Sequence, residues 1–393
     1  MMAGLLLARA GVDTIVLEKH GDFLRDFRGD TVHPSTLELM QELGVLGEFL
    51  KRPHQQVREI GGDVDGVRVT VADFSHLPTT CKFVALMPQW EFLDFLADEG
   101  RKYPTFHLLM NAEVVDVRRS GGRVIGVAAR TPDGDLAVEA PLTIGADGRR
   151  SIVRERAGLA VDTFGAPIDV LWMRLSRRDD DRTETLGVVR SGRVLVMLNR
   201  GDYWQCALVI PKDGFAALQR RGLDALREDI AAIVPFLRDR VGELRTWDDV
   251  KLLTVLVDRL RQWYAPGLLC IGDAAHAMSP IGGVGINLAI QDAVAAANLL
   301  YEPLGRGSVS VDDLAAVQRR RLFPTRVTQA AQVAIQRNVL APVLGRRRDE
   351  PIALPFPLRL VQRYPVLRRI PARLVGLGVR PEHVRTPNVF AGS

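Results

Sequence analysis

One stretch constrains this chain more than any other: LLCIGDAAHAMSPIGGVGINLAIQDAVAAANLL, residues 268–300. A short apolar run meets a glycine and an acid, passes a glycine-rich segment and continues as a long apolar repeat. The pattern predicts a buried strand, a tight turn and a core helix. A strand ending at Gly272-Asp273 sets a carboxylate at the C-terminal edge of a parallel sheet, where open α/β folds bind ligands. Such an acid suits sugar or ribitol hydroxyls. Pro280, Gly282, Gly283 and Gly285 strip side chains from the turn, so backbone amides can approach a flat ring closely. The helix then starts near Gly285, and its N-terminal end favours negative charge.

The beginning of the chain reads as the second half of a β-α-β unit. Residues 1–10 form an amphipathic helix stopped by Gly11, and VDTIVLE is expected as a buried strand ending at Glu18. A polar connection leads to a helix capped near Ser35, with Leu37, Met40 and Leu43 at helical spacing and Gly44 closing it. Residues 60–83 turn to short strands, and PQWEFLDFLADEGRK to helix. Residues 111–148 form a β-meander broken at GG and DG, returning to the strand LTIGA, which is expected to rejoin the first sheet. LWMRLS, RVLVMLN and YWQCALVI belong to a second sheet, with a helical interlude over residues 215–241. A further helix covers residues 311–340, where Pro324 is expected to kink or split it. The fold class is α/β. A three-layer ligand-binding domain is expected from residues 1–58, 85–168 and 252–340. An antiparallel sheet domain from 59–84 and 169–251 is inserted in it, and a Pro- and Arg-rich tail occupies 341–393.

Composition narrows the function classes. The 393 residues are 47% hydrophobic and 25% charged, the balance of a globular protein of about two domains. Cys81, Cys206 and Cys270 lie far apart with no CxxC pair, which removes a disulfide framework and a cysteine zinc site, and fits a reducing cytoplasm. The net charge of +5 belongs to the tail: from Leu340 onward ten Arg face three acids, leaving the rest of the chain at −2. A near-neutral body has no broad footprint for nucleic acid. MMAGLLLA has the apolar character of a signal peptide, but nothing basic precedes it, so the helix reading stands. No run of roughly 18 apolar residues appears elsewhere, so no transmembrane span is expected.

The motifs also carry a family resemblance. GDAAHAMSPIGGVGINLAIQDA closely resembles the GD motif of FAD-dependent aromatic hydroxylases, the para-hydroxybenzoate hydroxylase family. IGADGRRSIVR resembles their DG motif, which implies FAD and NAD(P)H binding by Asp147 and Gly148 and local support from Arg154. VLEKH resembles the end of their second Rossmann strand, so Glu18 would hold the adenosine ribose, with Lys19 beside it. FRGDTVHPSTLELMQELG resembles the segment that places Arg28 at the FAD phosphate or ribitol, and QWEFLDFL the helix whose opening Gln89 hydrogen-bonds FAD. The resemblance runs in order over about residues 1–340. It implies a discontinuous, Rossmann-like FAD domain whose cofactor contacts also include Val115, Gly272, Asp273, Pro280, Gly283, Gly285, Ile286 and Asn287. Pro280, Gly282 and Gly283 would hold the reactive edge of the flavin. The implied reaction is hydroxylation of an aromatic or polyketide-like ring with NAD(P)H and dioxygen, through a flavin hydroperoxide kept dry by the sheet domain.

The family ordinarily opens with a strand and GxGxxG, whereas MMAGLLLARAG resembles the helix after the last of those glycines. About 15 residues of strand and phosphate loop are therefore expected upstream; otherwise FAD binding is expected to be poor. His276, with no cluster at ligand spacing, is read as structural or flavin-adjacent rather than metal-binding. His33 and Asp30, beside Arg28, are candidates for proton handling. Trp172 and Arg174 share one strand face, as do Tyr203 and Gln205, and are candidates for lining the substrate pocket. LRLVQRYPVLRRIPARLVGLGV mixes apolar and basic residues as a membrane-surface helix does. Pro365 and Pro371 interrupt a continuous helix, so packing on the FAD domain or at a subunit contact, as in a homodimer, is expected instead. Two other functions stay open: an FAD-dependent dehydrogenase or reductase without oxygen insertion, and a non-catalytic ligand-binding protein.

Overall fold

The computed structural model describes residues 1–24, 31–182, 186–348 and 350–391. Helix α1 (Met2–Arg9) buries Leu5, Leu6 and Leu7 and ends at Gly11, whose φ of +83° suits a residue without a β-carbon. Strand β1 (Thr14–Leu17) follows, then the short β2 (Thr31–Val32) and helix α2 (Pro34–Glu42). The cap of α2 is His33 rather than Ser35, because Pro34 takes the first helical position with its φ already fixed. Strands β3 (Glu59–Val64) and β4 (Val67–Asp73), helix α3 (Gln89–Gly100) and strand β5 (Phe106–Leu109) come next. After a three-stranded meander over Glu113–Ser120, Arg123–Thr131 and Gly134–Glu139, strand β6 (Thr143–Gly145) is reached.

The parallel strands lie in two hydrogen-bonded pieces among the described residues. β1 pairs with β5, while β6 pairs with the later β12 (Leu268–Cys270). LTIGA therefore joins the LLC strand and not β1, contrary to the sequence expectation. The expectation that β1 is buried is also corrected. Gly4 of α1 lies close against Val16, so α1 covers one face of the strand, and Ile15 on the other face is 45% exposed. Both pieces share one core, in which Leu6, Leu37, Met40, Phe92, Leu269 and Val294 are fully or almost fully buried.

The inserted domain is a seven-stranded sheet. Its order is β11 (Lys251–Leu253), β7 (Ile168–Ser176), β10 (Tyr203–Pro211), β9 (Arg193–Asn199), β8 (Leu186–Arg190), β3, β4. Alternation fixes its two faces. Leu171, Met173, Leu175, Trp204, Cys206 and Leu208 pack on the side of helices α4 (Phe215–Arg221) and α5 (Leu223–Ile233). The opposite face carries Trp172 and Arg174, and the register sets Gln205 opposite Arg174 and Tyr203 opposite Ser176.

Helix α6 (Gly285–Gly305) is the central core helix. The segment Ile281–Gly305 is long and apolar enough to cross a bilayer, and most of it is buried inside the protein. Helix α7 (Val311–Ile335) packs beside it and runs unbroken through Pro324, so the expected split does not occur. Buried Arg321, Gln329 and Gln332 anchor α7 on both sides of the proline, while Thr325 and Thr328 hydroxyls donate to the carbonyls of Arg321 and Pro324. The tail folds into helices α8 (Phe356–Arg363) and α9 (Arg369–Gly376). Both lie on β4, the edge of the inserted sheet, and only the segment around Glu382 reaches α6 and α7. The tail thus binds the inserted sheet as well as the first domain. Gln362 explains the docking: its side chain accepts from Thr70 N–H and donates to Thr70 C=O, satisfying the exposed strand edge.

Candidate active site

Strand β12 delivers the chain to Gly272, whose φ is +57°. A β-carbon there would stand 2.9 Å from the Ala289 methyl, so glycine is what lets α6 lie against the strand end. Gly282 and Gly283 also take positive φ, +76° and +62°. A β-carbon on Gly283 would meet Thr31 Oγ1 at 2.3 Å, and that hydroxyl donates to the Gly283 carbonyl at 2.7 Å. Helix α6 then begins with no side-chain cap, leaving the N-terminal amides of a 21-residue helix for a ligand. Asp273 stands one residue past Gly272, partly exposed, with its carboxylate 3.9 Å from Arg149. In the neighbouring loop Asp147 accepts from Val153 N–H at 3.1 Å, and Gly148, at φ +86°, faces open space.

The turn is held from behind by polar side chains. Gln332 donates to the carbonyls of Ser279 and Ile281, both at 2.9 Å, and accepts from Ser279 N–H. Gln336 donates to Ser279 Oγ at 2.6 Å, and Gln329 donates to the carbonyls of Asp258 and Ala277. Spaced three and four residues apart, these glutamines form one ladder along α7 and its continuation. Beneath it, Asp292 accepts from Gly272 N–H at 3.1 Å and from His276 Nε2 at 2.5 Å, while Arg321 Nε donates to it at 2.9 Å. Burial alone would raise the Asp292 pKa, but the His276 and Arg321 bonds more than reverse that and hold it below the usual carboxylate range. Arg321 continues to Glu382 at 3.2 Å. Arg154 joins the two loops, bonding the Arg149 carbonyl at 2.5 Å and pairing with Asp258, which also accepts from Ala277 N–H.

Sequence reasoning had singled out the turn glycines, Asp273, Asp147 and Arg154, and read His276 as structural or flavin-adjacent. It missed Asp258, Asp292, Arg321 and the three glutamines. The signal for the glutamines was a long helix with no apolar stripe, which needs buried polar work to stay docked.

The remaining candidates separate into groups. Asn287, expected at the cofactor, is buried and spends its amide inside the protein. It accepts from His33 N–H and Thr36 Oγ1 and donates to the Thr31 carbonyl. It ties α6 to α2, with Ile286 half-buried just ahead of it. His33 is 1% exposed, and its Nδ1 lies 2.7 Å from the Val375 carbonyl of α9. Burial pushes its pKa down to about 4, so the ring is neutral at pH 7 and anchors the loop rather than carrying a proton. Arg28 and Asp30 fall outside the described residues. Glu18, at the end of β1, accepts from His20 N–H, and Lys19 is exposed beside it. Gln89 opens α3 half-buried, and Val115 sits at a bulge in the meander. On the inserted sheet, Trp172 packs among Val170, Val194 and Ala207. Arg174 stacks on the Tyr203 ring at 3.7 Å, and Gln205 accepts from Arg200 Nε. Arg174 and Tyr203 line a cavity of about 410 Å³ that also has Asp202, Glu243, Asp248 and Lys251 in its walls and none of the turn residues.

Comparison with known proteins shows the family and the fold. The model of the FAD binding domain family matches residues 1–331. The chain is 34% identical to 6-methylpretetramide 4-monooxygenase of Streptomyces rimosus over 374 residues, which is 94% of this chain and 88% of that protein. It is 27% identical to dialkyldecalin synthase of Streptomyces rugosporus, covering 75% of this chain and 61% of that longer protein. Among solved structures, the probable FAD-dependent monooxygenase PqsL of Pseudomonas aeruginosa aligns with a TM-score of 0.72 at 22% identity, over 88% of this chain and 94% of that one. Anhydrotetracycline hydroxylase OxyS of Streptomyces rimosus gives 0.72 at 22%, over 97% and 74%. At these identities the structural likeness shows the shared fold.

Proposed function

Because this chain belongs to the FAD binding domain family and is a flavin-dependent oxidoreductase, we propose that it hydroxylates an aromatic, polyketide-like ring at the expense of NAD(P)H and dioxygen. The observation that carries this reading is the uncapped start of α6 directly after a turn in which Gly282 and Gly283 take positive φ. FAD supplies the redox chemistry when bound, taking electrons from NAD(P)H and activating dioxygen.

The residues present fit that group. The α6 amides and the turn at Pro280, Gly282, Gly283 and Gly285 would meet the ring edge on which negative charge gathers. Asp273, partly exposed and 3.9 Å from Arg149, would take ribitol hydroxyls; Asp147, Gly148 and Glu18 would serve the remainder of the cofactor. Gln329, Gln332, Gln336 and Asp292 keep the turn in one conformation, so no reorganisation is needed when charge develops. The inserted sheet would roof the ring and exclude water, offering Trp172, Arg174, Tyr203 and Gln205 on the face away from α4 and α5. The three buried thiols suit a reducing compartment such as the cytoplasm.

The test has two readouts. The purified protein should show flavin absorption bands, and NAD(P)H oxidation with a polycyclic phenol should require dioxygen and give a product one oxygen atom heavier. Flavin binding with NAD(P)H oxidation that proceeds without dioxygen and leaves no oxygenated product would assign a reductase instead.

A further inference from the structure

The tail helices leave an unusual outer surface. Along α8 and the turn after it, Phe356, Leu360 and Tyr364 follow one another at four-residue spacing, and Val366, Ile370 and Leu374 repeat the pattern into α9. Their exposures run from 38% for Leu360 to 69% for Phe356, so these are outward stripes and not core. Both helices dock on β4 through their other side, using Gln362 and Ala372, so the two stripes face away from the body together. Arg359, Arg363, Arg369 and Arg373 are exposed among them, and residues 351–381 contain no Asp or Glu.

We propose that this surface docks on an anionic lipid bilayer. A helix with a row of large apolar residues flanked by arginines and free of acids is the pattern that lies in a membrane interface. The apolar row enters the acyl boundary, and the guanidinium groups remain at the level of the lipid phosphates. The charge selects the partner: a neutral apolar surface would gain nothing from the arginines, and a second copy of the patch would set like charges against each other. Pro365 and Pro371 shape the surface without destroying it, because Pro365 falls at the start of a short turn and Pro371 within the first turn of α9. The inner side of α9 also touches the first domain, where the Val375 carbonyl lies 2.7 Å from His33 Nδ1. The proposal concerns the tail alone and holds whatever the substrate proves to be.

The full chain is sedimented with vesicles of phosphatidylcholine mixed with phosphatidylglycerol, and with pure phosphatidylcholine vesicles. Partition should be at least about tenfold stronger onto the mixed vesicles and should weaken in high salt. Phe356→Asp with Ile370→Asp should abolish it, and Arg363→Gln with Arg369→Gln should reduce it about tenfold or more. Thermal melting checks that the variants are folded; should the apolar pair fail to fold, the arginine pair decides. No partition of the parent chain onto mixed vesicles would overturn the proposal, as would partition that neither pair alters. A concentration-dependent dimer lost in the Phe356→Asp, Ile370→Asp variant, without vesicle binding, would assign the surface to a second copy and overturn it equally.

Discussion

The two halves of the molecule are held together by different physics. Behind the glycine turn, buried Asp292, His276, Arg321, Gln329, Gln332 and Gln336 fix the backbone through directed bonds. Under the inserted sheet, the contact with α4 and α5 is mainly apolar, built on residues such as Leu175, Met197, Leu226 and Ile230, with one charged cluster at its edge where Asp229 of α5 pairs with Arg193 and Arg221. Hydrogen bonds set position and direction, whereas apolar burial supplies stability with little angular preference. A cofactor turn needs the first. A sheet whose open face varies with the substrate needs only the second, because its inner side chains can change without disturbing the core behind it.

The comparison breaks most sharply at Asp292. Asp292→Ala leaves His276 and Arg321 buried without their acceptor, an expected cost of about 4 kcal/mol. Thermal melting should fall steeply and flavin should be lost with it. On the other side, Leu226→Ala empties a fully buried site beneath the sheet and should cost about 3 kcal/mol. Here the protein that stays folded should keep its flavin affinity, measured by fluorescence quenching. Equal losses of affinity in the two variants would show that the halves are not mechanically separate.

Acid provides a third test, through His33. Its folded pKa near 4 lies below the ordinary 6.5, so the unfolded chain binds a proton that the folded one refuses. The stability present above pH 6.5 is therefore lost as pH falls toward 4, with about 2 kcal/mol disappearing between roughly pH 7 and 5. His33→Gln should flatten that part of the melting profile. A parent profile already flat between those pH values would mean that the ring takes up its proton without leaving its pocket.

What the sequence could disclose followed the same division. The strand, glycine turn and core helix of residues 268–300 were readable because apolar runs and glycines act locally. The central strands of the sheet, β7, β9 and β10, were readable as strands but not as faces, since only the register of β7 against β10 shows that Trp172 and Arg174 share a side with Gln205 and Tyr203, and β8 and β11 went unread. The ladder on α7 left only one trace in the sequence, a long helix without an apolar stripe. Gln329, Gln332 and Gln336 look like solvent-facing residues, and what buries them is the carbonyl groups of a turn about fifty residues away. Pro324 misled for a related reason: a helix breaker is outweighed where tertiary bonds hold both flanks.

The finest test of the comparison is Gln332→Ala. The variant removes two donors and one acceptor from the backbone of Ser279 and Ile281, of which Ser279 is buried and Ile281 partly so. Because Gln336 and Gln329 still grip the turn on either side, the cost should stay near 1–2 kcal/mol and the fold should survive. If the ladder works by positioning, that free energy should appear in cofactor affinity, as a flavin Kd raised about tenfold. Melting of the flavin-free protein should shift by only a few degrees. Gln332→Glu keeps the acceptor for Ser279 N–H but turns a carboxylate toward two carbonyls, so it should be worse than alanine. A purely structural ladder would give the opposite division, with melting lowered and the flavin Kd unchanged.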